Sequence, residues 1–77
     1  MKSIERIVEE ALDLAPGTVK EHDDRETLDG WDSLGHIKLL THLDEELEGR
    51  AAEIQELAEA MSVRAIKQIL TARGLVR

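Results

Sequence analysis

The run Asp32-Ser33-Leu34-Gly35-His36-Ile37-Lys38-Leu39-Leu40-Thr41-His42-Leu43-Asp44-Glu45-Glu46-Leu47 decides the fold. Asp32 is a good N-cap, so a helix is predicted from about Ser33 to Leu47, with Gly49 as its stop. At roughly 100° per residue, Leu39, Leu40, Leu43 and Leu47 fall within one arc that suits a core. Leu34, Ile37 and Thr41 fall together in a second arc, roughly opposite. A surface helix with a single apolar stripe does not need that second patch. Two large apolar residues side by side next to a serine mark a docking surface. Asp44, Glu45, Glu46 and Glu48 crowd the C-terminal half, where the helix dipole disfavours negative charge.

Outward from this helix the period stays helical. Ser3 can cap a first helix whose Ile4, Ile7, Val8, Ala11 and Leu12 make one stripe, closed by Pro16-Gly17. Residues 17–31 read as a long polar connection, with Leu28 and Trp31 as its apolar anchors. Ala51 to Met61 reads as a third helix, shorter than the second, with Ile54, Leu57, Ala58 and Met61 on one face. Ser62 caps a fourth, with Val63, Ile66, Ile69 and Leu70 inward, Gly74 at its end and Leu75-Val76-Arg77 as a tail. The fold class is therefore all-α: one domain over residues 1–77, a four-helix bundle with a long first loop.

The totals narrow the function. A chain of 77 residues holds one small core and buries only about 60% of its unfolded surface. Net charge is −7 and Trp31 is the sole aromatic residue, which argues against a nucleic-acid surface. No apolar run approaches the roughly 20 residues of a membrane span. The N-terminal residues turn acidic at Glu5 without a signal peptide's apolar centre, so a cytoplasmic monomer is expected. There is no cysteine, hence no disulfide and no thiolate of the chain's own.

Gly30-Trp31-Asp32-Ser33-Leu34 sits at the junction of loop and helix. Ser33 is the first helical residue, beside backbone N–H groups that lack helical partners and favour a phosphate. Asp-Ser-Leu at positions 32–34, opening the second of four helices after a long loop in a small acidic chain, resembles the acyl carrier protein family. The likeness runs from Ile4 to Leu70, and Leu28 to Leu34 is its specific part. It implies that Ser33 takes a covalent 4'-phosphopantetheine arm from coenzyme A, through a phosphopantetheinyl transferase and magnesium. It implies that Asp32 contacts that transferase. Leu34 and Ile37 match the family's apolar contact positions, on a partner face that also carries Lys38 and Thr41. The further partners implied are an acyl-activating ligase and acyl-transferring or condensing enzymes, and the carrier itself is not an enzyme.

The sequence departs from the family pattern at Gly35 and Lys38, where an acid is common, and at Ile54-Gln55, where Ile-Pro is usual. Ala51, Ala52, Ala58 and Ala60 predict a third helix longer than the family's short one. These departures point to a specialised stand-alone carrier with its own ligase.

Three other readings compete. Ser33, His36 and Asp32 lie close in sequence, but Trp31 breaks the G-x-S-x-G elbow of a serine hydrolase. His36 is expected to be solvent-exposed, or else near the arm's phosphate, and His42 exposed. His22-Asp23-Asp24 matches no calcium loop and reads as polar loop. The remaining alternative is an unmodified helical interaction domain that binds a protein through Leu34 and Ile37. Trp31 is expected to pin the loop to the bundle.

Overall fold

The computed structural model describes residues 2–76. Four α-helices follow one another: α1 (Ile4–Leu12), α2 (Ser33–Glu46), α3 (Glu56–Glu59) and α4 (Val63–Ala72), with a 3-10 turn at Ala51–Glu53. Among the described residues there is no strand, only a single antiparallel bridge between Asp24 and Ser62.

Each long helix starts where a short polar side chain takes over a backbone donor. Ser3 Oγ accepts from Arg6 N, Asp32 Oδ1 from Gly35 N, and Ser62 Oγ from Ala65 N. The first helix stops at Leu12, short of the predicted Pro16-Gly17. Asp13 turns left-handed (φ 59°), and Leu14 N donates to Glu9 O at 2.7 Å. Pro16 disfavours helical backbone at Ala15, so the turn falls before it. Leu14 then packs against the core.

The segment 51–61 is not the continuous helix that its alanines predict. Ala51, Ile54, Leu57 and Ala60 are buried at a strict spacing of three. An α-helix turns about 300° over three residues, so this spacing cannot stay on one face of it. The chain instead makes the 3-10 turn, breaks at extended Ile54 and forms the one-turn α3. Ala58 and Met61, expected inside, are exposed. Leu75 and Val76, expected as a tail, pack back onto the core after Leu75 N bonds Leu70 O at 2.9 Å. Arg77 lies outside the described residues.

The loop between α1 and α2 is fastened at two buried carboxylates. Glu9 Oε2 accepts from Gly17 N at 2.9 Å and Val19 N at 3.0 Å, while Arg6 reaches its other oxygen at 3.4 Å. Asp23 accepts from Lys20 N at 2.7 Å and from the Thr27 hydroxyl at 2.9 Å. Its own carbonyl accepts from Val63 N, joining the loop to the start of α4.

Folding holds the Glu9 carboxyl below the usual carboxylate range. The Val19 N–H is the main cause; burial opposes it, and Arg6 and the Gly17 N–H reinforce it. A carboxyl lowered on folding adds stability above its unfolded-state pKa and loses it as pH falls through the folded-state value. Glu9→Ala should therefore lower the melting temperature at neutral pH, and the gap to wild type should narrow once both proteins are taken below the carboxylate range. Thermal melts at the two pH values check this.

Candidate functional site at the start of α2

Ser33 is exposed at the first position of α2. Of the first-turn donors, Gly35 N is taken by the Asp32 carboxylate at 2.8 Å, and His36 N by the Asp32 carbonyl at 2.8 Å. The amides of Ser33 and Leu34 precede these and have no helical acceptor. A serine hydroxyl there meets open donors and the positive end of the helix dipole.

The junction is held rigidly from behind. Trp31 is 3% exposed and sits in the core, as its anchor role requires. Its indole N–H donates to His36 Nδ1 at 2.9 Å, with the two rings side by side and only 12° from parallel. His36 Nε2 lies 2.9 Å from Leu57 O, across in α3. A carbonyl can only accept, so Nε2 carries the proton; an indole N–H can only donate, so Nδ1 is bare. The imidazole is thus neutral, with both nitrogens used.

This corrects the expectation that His36 is exposed or faces a phosphate: it is 6% exposed and internal. Nor is a Ser33–His36–Asp32 relay formed. No imidazole nitrogen is left for Ser33, and Asp32 is spent on the helix cap.

The glycine at position 35 has a local steric cause. A Cβ there would collide with the Gly30 carbonyl oxygen and press within 3.0 Å of Leu12 Cδ2. The loop lies directly on α2 at this point, so an acidic side chain has no room. Gly30 itself adopts φ 85°, a left-handed turn natural to glycine.

The outward face of α2 carries the other predicted residues. Leu34 is 61% and Ile37 60% exposed, with Thr41 beside them. The Thr41 hydroxyl donates to Ile37 O at 3.0 Å. Exposed Lys38 lies toward the end of α1, lining a cleft of about 200 Å³ with Leu12, Asp13 and Asp32. Ile37 lies at the other edge, where it borders a groove of about 710 Å³ with Leu40, Thr41, Ile54 and Ala58. Met61, 61% exposed, is a further apolar residue that periodicity assigned to the core. The three-residue spacing of its buried neighbours is the signal that would have placed it outside.

The acidic crowd at the end of α2 divides in two. Asp44 Oδ1 accepts from Ala52 N at 3.0 Å, and Glu46 lies 3.6 Å from Lys2, so both have structural partners. Glu45 and Glu48 are exposed. His42 is half-buried, not exposed as expected. A groove of about 1040 Å³ between α1 and α4 includes none of the Ser33 site, and the Lys67–Glu5 ion pair at 2.6 Å lies in it. Among the described residues no cluster of His, Asp and Glu is arranged to hold a metal ion, and Asp23 of the candidate loop is committed to backbone. Comparison with protein-family models, with curated proteins and with solved structures finds no match.

Two substitutions test the rigidity of the junction. Trp31→Ala removes a buried ring and should cost about 3–5 kcal/mol in denaturant melts; a loss under about 1 kcal/mol would refute the anchor role. Gly35→Ala forces a methyl against backbone and should cost about 1–3 kcal/mol. Its amide-shift changes should centre on residues 30–36, and changes spread evenly over the bundle would count against a local collision.

Proposed function

We propose that this chain is a stand-alone acyl carrier, with Ser33 as the attachment point of a 4'-phosphopantetheine arm donated by coenzyme A. The observation that carries the reading is an exposed serine at the first turn of a rigidly seated helix, flanked on the outward side by Leu34 and Ile37. The fit is chemical as well as positional. The Ser33 and Leu34 amides and the helix dipole favour a phosphodiester on the Ser33 oxygen. When bound, the arm supplies the thiol, and hence the thioester, that a chain without cysteine lacks.

In this reading the protein's own residues dock and orient. Leu34 and Ile37 give a small apolar contact for a transferase, an acyl-activating ligase and acyl-transferring or condensing enzymes. Asp32 fixes the angle of the helix start, and Lys38 and Thr41 border the contact. A weak interface suits a carrier that must leave each partner after one step. The groove beside Ile37 offers apolar surface to a cargo chain.

Incubation with coenzyme A, magnesium and a broad-specificity phosphopantetheinyl transferase should add one phosphopantetheine to the intact mass, and Ser33→Ala should abolish it. Leu34→Ala with Ile37→Ala should slow the addition about tenfold or more while leaving the melt near wild type, since exposed positions contribute little to stability. Folded protein that gains no adduct would overturn the carrier reading in favour of an unmodified binder acting through the same face.

A further inference from the structure

Two cations stand near the start of α2, and their surroundings differ. Lys38 is exposed, and the cleft that it lines also holds Asp13 and Asp32, so one ammonium there faces two carboxylates. Arg25 reaches the junction from the loop and is half-buried. Its backbone is pinned first. Arg25 N donates to Met61 O at 3.0 Å, and Val63 N to Asp23 O at 3.1 Å, so the residue is held against the chain that leaves α3. The Asp24 carboxylate closes the turn on the amides of Glu26 and Thr27 at 2.8 and 3.1 Å.

From that seat the side chain spans to Trp31, where Arg25 Nε donates to the carbonyl oxygen at 3.3 Å. That bond uses one of the five N–H groups of a guanidinium. Among the described residues the other four have no acceptor, and no carboxylate lies in ion-pair range. Asp24 is committed to the turn, and Glu26 and Asp29 are exposed.

We propose that Arg25 holds the phosphodiester of the arm on Ser33, and that the arm leaves along the edge made by Arg25 and Met61, not over Lys38. The inference rests on the carrier reading for the arm itself. Two peptide links separate Trp31 from Ser33, a span of at most about 7 Å. A guanidinium fixed on the Trp31 carbonyl is therefore a near neighbour of a phosphate on the Ser33 oxygen. Its parallel N–H donors match two phosphate oxygens, and it does not lose its charge. The Trp31 bond already orders its stem, so pairing costs little further side-chain entropy.

Lys38 is less suited. Among the described residues no hydrogen bond holds its side chain, and Asp13 and Asp32 in its cleft repel a phosphate. Charge thus turns the arm from the α1 edge toward Arg25. Met61 then gains a use. It is 61% exposed, and its carbonyl holds the Arg25 amide. Just beyond its phosphate the arm carries two methyl groups, apolar surface that a flexible thioether covers well.

The protein is loaded with coenzyme A, magnesium and a transferase. Unloaded and loaded forms are compared by NMR in wild type, Arg25→Gln and Lys38→Gln. On loading, the wild-type Arg25 Nε–H signal should shift, and its solvent exchange should slow about two- to fivefold, the size of a half-exposed ion pair. The phosphorus-31 signal of the arm should move in Arg25→Gln and keep its wild-type position in Lys38→Gln. Nuclear Overhauser contacts from the arm's methyl groups should reach the Met61 methyl in wild type and be lost in Arg25→Gln. These readouts do not depend on turnover. An arginine that only braced the Trp31 carbonyl would not respond to loading.

Loaded protein whose Arg25 Nε–H is unchanged overturns the inference and leaves the carrier reading standing. So does a phosphorus signal that moves in Lys38→Gln in place of Arg25→Gln, or an arm whose methyl groups contact Leu12 in place of Met61. Should Arg25→Gln fail to fold, the wild-type comparison and Lys38→Gln still decide. Folded wild type that gains no arm overturns both readings.

Discussion

The imidazole of His36 stands where three pieces of backbone meet. Through Nδ1 it holds Trp31 and thus the end of the loop; through Nε2 it holds the Leu57 carbonyl and thus α3; and the His36 backbone N–H closes the first helical bond on the Asp32 carbonyl. α3 is a single turn of four residues, far below the roughly 12–15 at which a helix persists unaided. It exists because Leu57 is buried and because its carbonyl has a donor waiting. The loop faces the same problem. Ordering its backbone costs about 1–2 kcal/mol per residue, against few apolar anchors: Val19, Leu28 and Trp31.

That shortage explains why so small a core takes in polar groups. Glu9, Asp23 and His36 are all buried, yet among the described residues no buried side-chain nitrogen or oxygen lacks a partner. The chemistry at each node matches what it must hold. Glu9 faces backbone N–H groups that need an acceptor, and an ionised carboxylate accepts most strongly. His36 must accept on one side and donate on the other, which only a neutral imidazole does in a single rigid ring. A carboxylate or an amine at that position would leave one partner unsatisfied.

The elements whose start and period are both local could be read from the sequence. α1, α2 and α4 each begin at a capping side chain and bury a helical stripe, so Ser3, Asp32 and Ser62 mark them in advance. Trp31 as an anchor and Leu34 and Ile37 as an outward pair were legible for the same reason: helical angle sorts α2 into two arcs. What stayed hidden depended on partners distant in sequence. His36 shares the inner half of α2 with Leu39 and Leu43, but its burial needs Leu57 O, twenty-one positions on. Gly35 read as a lost acid until the Gly30 carbonyl appeared above it. In 51–61, the alanines favour a long helix by intrinsic propensity, whereas the core accepts only every third residue. Packing overrode propensity there.

The seating of α2 also limits how anything can reach Ser33. Behind the serine, the Gly30 carbonyl on Gly35 and the Trp31 ring close the inner side. Approach is therefore restricted to the outward side, where Leu34 and Ile37 stand exposed. On the proposed reading, a partner that reaches the Ser33 oxygen would cover those two side chains, and recognition and chemistry would share one surface. The edges of that surface are unlike in charge: Lys38 lies toward the end of α1, while Glu45 is exposed nearer the end of α2. In a chain of net charge −7, a uniformly basic partner would meet repulsion at Lys38, and a uniformly acidic one at Glu45. On the proposed reading, such a surface would favour a partner of mixed charge around an apolar centre. Selectivity of that kind comes from excluding wrong partners as much as from attracting the right one.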